Sequence, residues 1–298
     1  MNNKLKGLLS AIFAFLIWGF LPLYWKLIQV VPAFEILIHR IIWSTVFLFF
    51  ILIFQKRIRE FVSALSFKNL KISFLSGIIV GANWLLYIWA VNSGYVIETS
   101  LGYYINPLIS VVIGSVIFKE NLSYTQIFAV IVASTGVMIL TLGYSRFPWI
   151  ALTLAISFAV YGSLRKISNL GPIIGLQIET FILVIPATFY FFILFNNNSN
   201  HFVSLGIFYK LMLAGAGIVT ALPLLFFAEA VRNINLSTVG MLQYIGPTIN
   251  FLLGVFLFKE EFTIYHLYAF ILIWVAVIIF STNTLLSQYK RKTALQNR

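Results

Sequence analysis

The chain contains no cysteine and no aspartate, and its eight acidic residues are all glutamate. Without cysteine there is no disulfide scaffold, no thiolate metal site and no sulfur nucleophile. Without aspartate, Mg²⁺ sites and aspartyl-phosphate chemistry lose their usual ligand. Charge of either sign is scarce: 9% of the 298 residues are charged, against about 25% in soluble domains. What is present is apolar. Hydrophobic residues make up 61% of the chain, 30 residues are phenylalanine and the mean hydropathy is +0.98. Such a chain has a lipid bilayer as its main solvent.

A bilayer core about 30 Å thick takes about 20 apolar residues per helix. Ten such runs recur, at 7–28, 35–54, 72–91, 98–118, 125–142, 148–164, 173–194, 207–230, 237–258 and 264–286. Runs such as Ile109 to Phe118 would be apolar on both faces of a strand, which excludes the alternation of an outer-membrane barrel. The expected fold class is therefore an all-α integral membrane protein with ten transmembrane helices. The first run follows Lys4 and Lys6 as a secretory signal would, but it is too long and no small-x-small cleavage site precedes Lys26. With a cytoplasmic N-terminus, fifteen of the twenty basic residues fall inside, among them Arg165, Lys166 and Arg232. Lys26, Arg146, Lys210 and Lys259 fall outside, and Arg40 lies within the second run. The positive-inside rule then puts both termini in the cytoplasm. The net charge of +12 reads as a cytoplasmic face against anionic lipid, with no nucleic acid as partner.

A shift of 140 residues superposes Glu98 to Glu120 on Thr238 to Glu260 with eight of twenty-three positions identical. Tyr104-Ile105 and Pro107 meet Tyr244-Ile245 and Pro247, Gly114 meets Gly254, and Phe118-Lys119-Glu120 meets Phe258-Lys259-Glu260. Pro32 meets Pro172 at the same shift. Two unrelated apolar helices would match in Leu, Ile and Phe, not in Pro, Gly and a Lys-Glu pair in one register, so the chain reads as a duplication. Residues 1–142 and 143–286 are the two expected five-helix repeats, and 287–298 a basic cytoplasmic tail. Five is odd, so the repeats are expected to be inverted in the membrane, an architecture of many secondary transporters.

Pro107 and Pro247 stand near the centres of their runs, where each removes a helical bond and frees the carbonyl four residues back, of Tyr103 and Gln243. A freed carbonyl at depth is tolerated against a cavity, a substrate or a polar side chain; a plain packing kink is the alternative. Tyr103 and Asn106 before one proline, and Gln243 and Tyr244 before the other, favour a cavity. Asn83 and Tyr87 share a face of the third run beside Trp84, and polar groups at depth turn inward. In the second run His39 lies four residues after Glu35, with Arg40 next to it. Arginine at depth costs about 2.5–3.5 kcal/mol on insertion scales, so Arg40 needs a partner or water. Glu179, which the 140-residue shift places on His39, is a candidate acid for it. Arg40, His39 and Glu179 are expected to line or brace a pathway; snorkelling of Glu35 and Arg40 to the interface is the competing reading. His39 is the residue that would carry a proton as coupling ion, or else serves as a hydrogen-bonding strut.

Ile17-Trp18-Gly19, Glu35-Ile36-Leu37 with His39-Arg40, Asn83-Trp84-Leu85-Leu86-Tyr87, Ser100-Leu101-Gly102-Tyr103 with Asn106-Pro107, and Gln243-Tyr244-Ile245-Gly246-Pro247-Thr248 together resemble the RarD-type proteins of the EamA family, in the drug/metabolite transporter superfamily. The resemblance implies ten helices in two inverted EamA repeats. It implies a central cavity from spans 1 to 4 and 6 to 9, with spans 5 and 10 peripheral, in a bacterial inner membrane. RarD-type members are commonly labelled chloramphenicol-sensitivity proteins, whereas other superfamily relatives move amino acids, nucleotide derivatives or other small metabolites.

Three functions compete. The first is a secondary transporter or facilitator of a small polar metabolite such as an amino acid or related zwitterion, working by alternating access as a monomer or a homodimer. The second is a multidrug or chloramphenicol-type efflux transporter. The third, a membrane enzyme, is the weakest, because paired catalytic Asp, Cys, H-E-x-x-H and a phosphate loop are all missing; no cofactor or metal is expected. The topology yields a direct check. An epitope tag in the 195–206 segment should be accessible from outside intact cells, and strict protection there would overturn the assignment of the termini to the cytoplasm.

Overall fold

In a computed structural model, residues 3–93, 95–142, 147–197, 199–257 and 264–296 are described. Phe258-Lys259-Glu260 of the repeat and Arg146 lie outside them. Among the described residues, ten helices or helix pairs are long and apolar enough to cross a membrane, one for each apolar run. The first part of the chain is α1 (Asn3–Leu27), α2 (Ala33–Phe54), the short α3 (Ile58–Ala64), α4 (Phe67–Asn92), α5 (Val96–Val116) and α6 (Tyr124–Leu142). There follow α7 (Trp149–Ile167), α8 (Pro172–Asn196), the four-residue α9 (His201–Ser204) and α10 (Ile207–Asn233). The ninth span is built from α11 (Leu236–Gln243), α12 (Ile245–Leu252) and a π-helical turn (Leu253–Leu257), and α13 (Ile264–Gln296) is the last.

The two proline-bearing spans differ. α5 runs unbroken through Pro107, whereas its counterpart breaks at Tyr244, three residues before Pro247. The residue in front of each proline accounts for the difference. Asn106 is tied to α7 by its Nδ2, which donates to Ala155 O at 2.8 Å. The matching Gly246 brings no side chain, and Pro247 brings no N–H, so two consecutive positions give the helix nothing to hold. Beyond the break, the Thr248 N–H and hydroxyl both donate to Tyr244 O, at 3.1 and 2.7 Å, and restart the helix.

α1 and α10 pack antiparallel, Gly7 against Asn233 at one end and the Tyr24 hydroxyl donating to Met212 O near the other. α2 crosses α10 at Gly217, where Ser44 Oγ donates to Gly217 O at 2.9 Å and any Cβ would overlap the Trp43 backbone. Small residues let membrane helices approach this closely. A main core joins α1, α2, α4, α7, α8, α10 and α11 around Phe15, Leu48, Tyr161, Leu176 and Phe227. A second core joins α6 to α13 through Ala129, Ala133, Ile273, Ala276 and Phe280. This pair stands to one side. Outward-facing Phe49, Phe54, Phe181, Phe189 and Phe192 are exposed, as residues solvated by lipid must be. On α3, Arg57 donates to Glu60 at 2.7 Å, and this hydrogen bond holds the Glu60 carboxyl below its usual pKa.

Candidate functional site

The bundle encloses a cavity of about 180 Å³, several times the ~30 Å³ share of a water molecule in the liquid. α1 supplies Trp18, Leu21, Pro22 and Trp25; α2 supplies Arg40; α4 supplies Asn83, Trp84 and Tyr87. α5 adds Thr99, Tyr103 and Asn106, α7 adds Leu154 and Phe158, and α10 adds Thr220 and Leu224. Gln243, Gly246, Pro247 and Asn250 come from the broken ninth span. The α1, α4, α5 and α7 residues come from the helix halves nearest one end of the bundle, the end where α1 finishes and α5 and α7 begin. We call it the far face, and the end where α1 starts the near face.

Among the described residues, Arg40 carries the only charge on this lining. Its Nε donates to Thr220 Oγ1 at 3.0 Å, and its guanidinium carbon lies 4.9 Å from the Trp25 ring centroid and 5.2 Å from that of Trp84. Cation–π contact of this kind offsets part of the desolvation of an ion. Asn83 Nδ2 donates to Leu154 O at 3.0 Å and Ser157 Oγ at 2.8 Å, so Asn83 and Asn106 both fasten their helices to α7 from within the cavity wall. Tyr87 and Tyr103 meet edge to face at 5.8 Å. Asn250 Oδ1 is buried without a partner among the described residues.

Towards the near face the cavity ends on packed rings. Trp18 lies 5.7 Å from both Phe158 and Phe227, and Tyr161 stacks on Phe227 at 6.2 Å. Leu154, Phe158, Tyr161 and Arg165 follow one stripe of α7 at helical spacing, and the stripe leads from the cavity into a buried ionic cluster. There Arg165 Nη1 donates to Glu179 Oε1 at 3.3 Å, with both side chains 1% exposed. Glu179 also accepts from Ser76 Oγ at 2.6 Å and from the Tyr161 hydroxyl at 3.2 Å, which joins α4, α7 and α8. Gly175 leaves the room for it: a Cβ there would collide with the Arg165 guanidinium. Nearer still to that face, Glu120 caps α11 by accepting from Leu236 N at 2.7 Å and Ser237 N at 2.9 Å, and lies 3.7 Å from Lys166 Nζ. Lys6 and Glu229 pair at 2.6 Å, tying α1 to α10. At the far face, Glu35 accepts from His201 N and lies 2.7 Å from His201 Nδ1, which seats α9.

Of the residues singled out from the sequence, Arg40, Asn83, Trp84, Tyr87, Tyr103, Asn106, Gln243 and Pro247 line this cavity. His39, Glu179, Tyr244 and Pro107 do not. His39 is 2% exposed and stacks on Phe202 at 4.9 Å, and neither of its ring nitrogens finds a partner among the described residues, so it is not a hydrogen-bonding strut. Tyr244 is buried in the core beside α13. Glu179 is not the acid that answers Arg40: it is taken by Arg165, which the sequence reading placed in a cytoplasmic segment and which is in fact interior. Glu35 is not a snorkelling residue either, being 1% exposed beneath α9. Sequence reasoning missed Trp18, Trp25, Thr220 and Asn250. Two tryptophans seven residues apart with Pro22 between them mark one face of α1, and this was the available signal.

The geometry defines a polytopic helical membrane protein with an internal polar and aromatic cavity sealed toward one face. A family model described as the EamA-like transporter family matches residues 5–142. A Bacillus subtilis protein called uncharacterized transporter YojE is 42% identical over 97% of this chain and 96% of its own. Protein RarD of Escherichia coli K12 is 41% identical, with 95% of this chain and 96% of that one covered. A solved crystal structure with 15% identity matches with a TM-score of 0.67 over 94% of this chain and 98% of the other, a likeness of fold. The chain belongs to the EamA family and is a RarD-type protein. It is a membrane transporter of the multi-pass, bacterial inner-membrane kind.

Breaking a buried ion pair leaves an uncompensated charge and costs about 3–5 kcal/mol, whereas an apolar pair of similar volume is close to neutral. Glu179→Gln should therefore sharply lower the apparent Tm in detergent, and Arg165→Met with Glu179→Leu should recover most of the loss. An undiminished Tm in the single variant would show that the cluster does not brace α4, α7 and α8.

Proposed function

We propose that the chain is a secondary transporter or facilitator that moves a small polar metabolite, of amino-acid size and zwitterionic character, by alternating access between two inverted five-helix repeats. The observation that carries this reading is the asymmetry of the cavity: room lined by polar and aromatic side chains toward the far face, and ring packing and ion pairs toward the near face. Positive-inside orientation makes the near face cytoplasmic, so this is an outward-facing arrangement. The inward-facing counterpart follows if the ring stack of Trp18, Phe158 and Phe227 parts and the far-face contact of Glu35 with His201 is replaced by closure there. Transition between such states is the usual consequence of an inverted repeat.

Among the described residues, the lining includes neither carboxylate nor imidazole, the groups that most often transfer protons in catalysis. Transport is thus favoured over enzyme chemistry. His39, the candidate for proton coupling, lies away from the lining, which favours facilitation or a coupling route outside this cavity. Trp18, Trp25, Trp84 and Phe158 give the multidrug reading its support. Modest volume and the amides of Gln243 and Asn250 favour a small polar solute over a large amphipathic one.

Proteoliposomes holding the purified protein, assayed with amino acids, nucleotides and lipophilic cations with and without a pH gradient, separate these readings. Saturable flux of one class of small polar solute is expected. Extrusion of many lipophilic cations would replace the proposal with multidrug efflux, and the absence of flux for every solute would remove it.

A further inference from the structure

Six of the eight glutamates are among the described residues, and each is already engaged. Glu35 holds His201, Glu60 holds Arg57, Glu120 holds Lys166 and the start of α11, Glu179 holds Arg165, and Glu229 holds Lys6. Glu98 accepts from Ile150 N at 2.7 Å, at the start of α7. None of them faces Arg40. An arginine side chain is a permanent cation with five N–H donors. Here Nε is used by Thr220 Oγ1, so the four N–H bonds of Nη1 and Nη2 remain. Arg40 lines the cavity and is only partly buried, and among the described residues neither Nη1 nor Nη2 donates to a protein acceptor, so this end of the guanidinium is available to the cavity.

We infer that Arg40 is the receptor for a carboxylate on the transported solute, bound end-on by Nη1 and Nη2 while Trp25, Trp84 and Thr220 fix the plane of the guanidinium. This rests on the transporter reading and narrows its cargo. The chemistry is that of the planar fork: two parallel N–H bonds match the two oxygens of a carboxylate and are charge-assisted. Thr220 blocks the side-on approach along the Nε edge and leaves the end-on one. The indoles perform a second task, because rings packed on the guanidinium remove its rotamer freedom before the solute arrives. A cation cargo meets the opposite field. With no acid on the lining among the described residues, a lipophilic cation would enter against a positive charge that no carboxylate balances, a repulsion that also discriminates between partners. Gln243 and Asn250, amides on the same lining, suit the neutral or N–H-bearing part of the solute.

The test uses the full chain in lipid nanodiscs with three matched pairs as probes: acetate and acetamide, benzoate and benzamide, L-phenylalanine and L-phenylalaninamide. Apparent Tm and quenching of tryptophan fluorescence are read against probe concentration. At least one carboxylate should bind saturably while its amide does not, Arg40→Met should abolish the response, and Arg40→Lys should weaken it about tenfold or more, since a point charge does not replace a fork. Folding of each variant is read from its Tm and elution profile without probe. If Arg40→Met does not fold, Arg40→Lys and Thr220→Val decide, and both should weaken carboxylate binding. Equal binding of acid and amide, no binding of any carboxylate, or an unchanged response in the variants overturns the inference. The outcome is separable from that of the transporter reading. Saturable flux of a non-acidic solute that Arg40→Met leaves intact keeps the transporter and removes the carboxylate receptor. Carboxylate binding with no flux of any solute does the reverse.

Discussion

The arrangement rests on one constraint: an ion moved from water to hydrocarbon must be met by another charge, by hydrogen bonds or by a wetted cavity, because the idealised cost otherwise is of order 20 kcal/mol. With charged residues at 9% of the chain, few such encounters occur and each one locates a helix. Glu179 binds α4, α7 and α8 to one another through Ser76, Tyr161 and Arg165. Glu120 does the same for the start of α11 and the end of α7. Lys166 extends that junction by donating to Val231 O and Ile234 O at 3.0 and 2.7 Å, closing the end of α10. These three sites concentrate ionic fastening at the near face. One cation, Arg40, is compensated only by indole faces and a hydroxyl, and it is there that the bundle holds a cavity.

Lipid solvates apolar side chains as well as the core does, so burial of hydrocarbon gives these helices little reason to associate. Close approach at Gly217, the ring stack of Trp18, Phe158, Phe227 and Tyr161, and the polar ties from Asn83 and Asn106 to α7 supply what burial does not. A cavity can persist among such contacts because its walls are held by named bonds and not by a pressure to collapse. α6 and α13 stand outside this arrangement. Their contact is built on small and aliphatic residues together with Phe280, and among the described residues neither helix contributes to the cavity lining.

The ten spans were legible because length and apolarity decide membrane insertion almost alone. Asn83, Tyr87, Asn106 and Gln243 were legible as site residues because a polar group at depth has few places to point. Partner choice was not. Arg165 and Glu179 lie fourteen residues apart on helices joined by a short turn, and only the packing of α7 on α8 decides that Glu179 answers Arg165 and not Arg40. The four-residue α9 escaped notice since its seat is Glu35, distant in sequence. Trp25 and Thr220 gave no decisive signal: an aromatic or a hydroxyl in a span has the same appearance whether it meets lipid, a neighbour or a cavity. The asymmetry between the two proline spans came from Gly246 standing where the 140-residue shift puts Asn106, a difference visible in the sequence but not its effect on the helix.

The lack of native cysteine makes the central proposal, that the cavity is reached from the outer side above a sealed inner half, directly measurable by single-cysteine accessibility. Leu21→Cys, on the cavity lining, and Ser76→Cys, within the Arg165–Glu179 cluster, can be treated with a membrane-impermeant thiol reagent on intact cells. The account predicts rapid labelling of the first and protection of the second. Labelling of Ser76→Cys as fast as Leu21→Cys, or protection of Leu21→Cys, would contradict it.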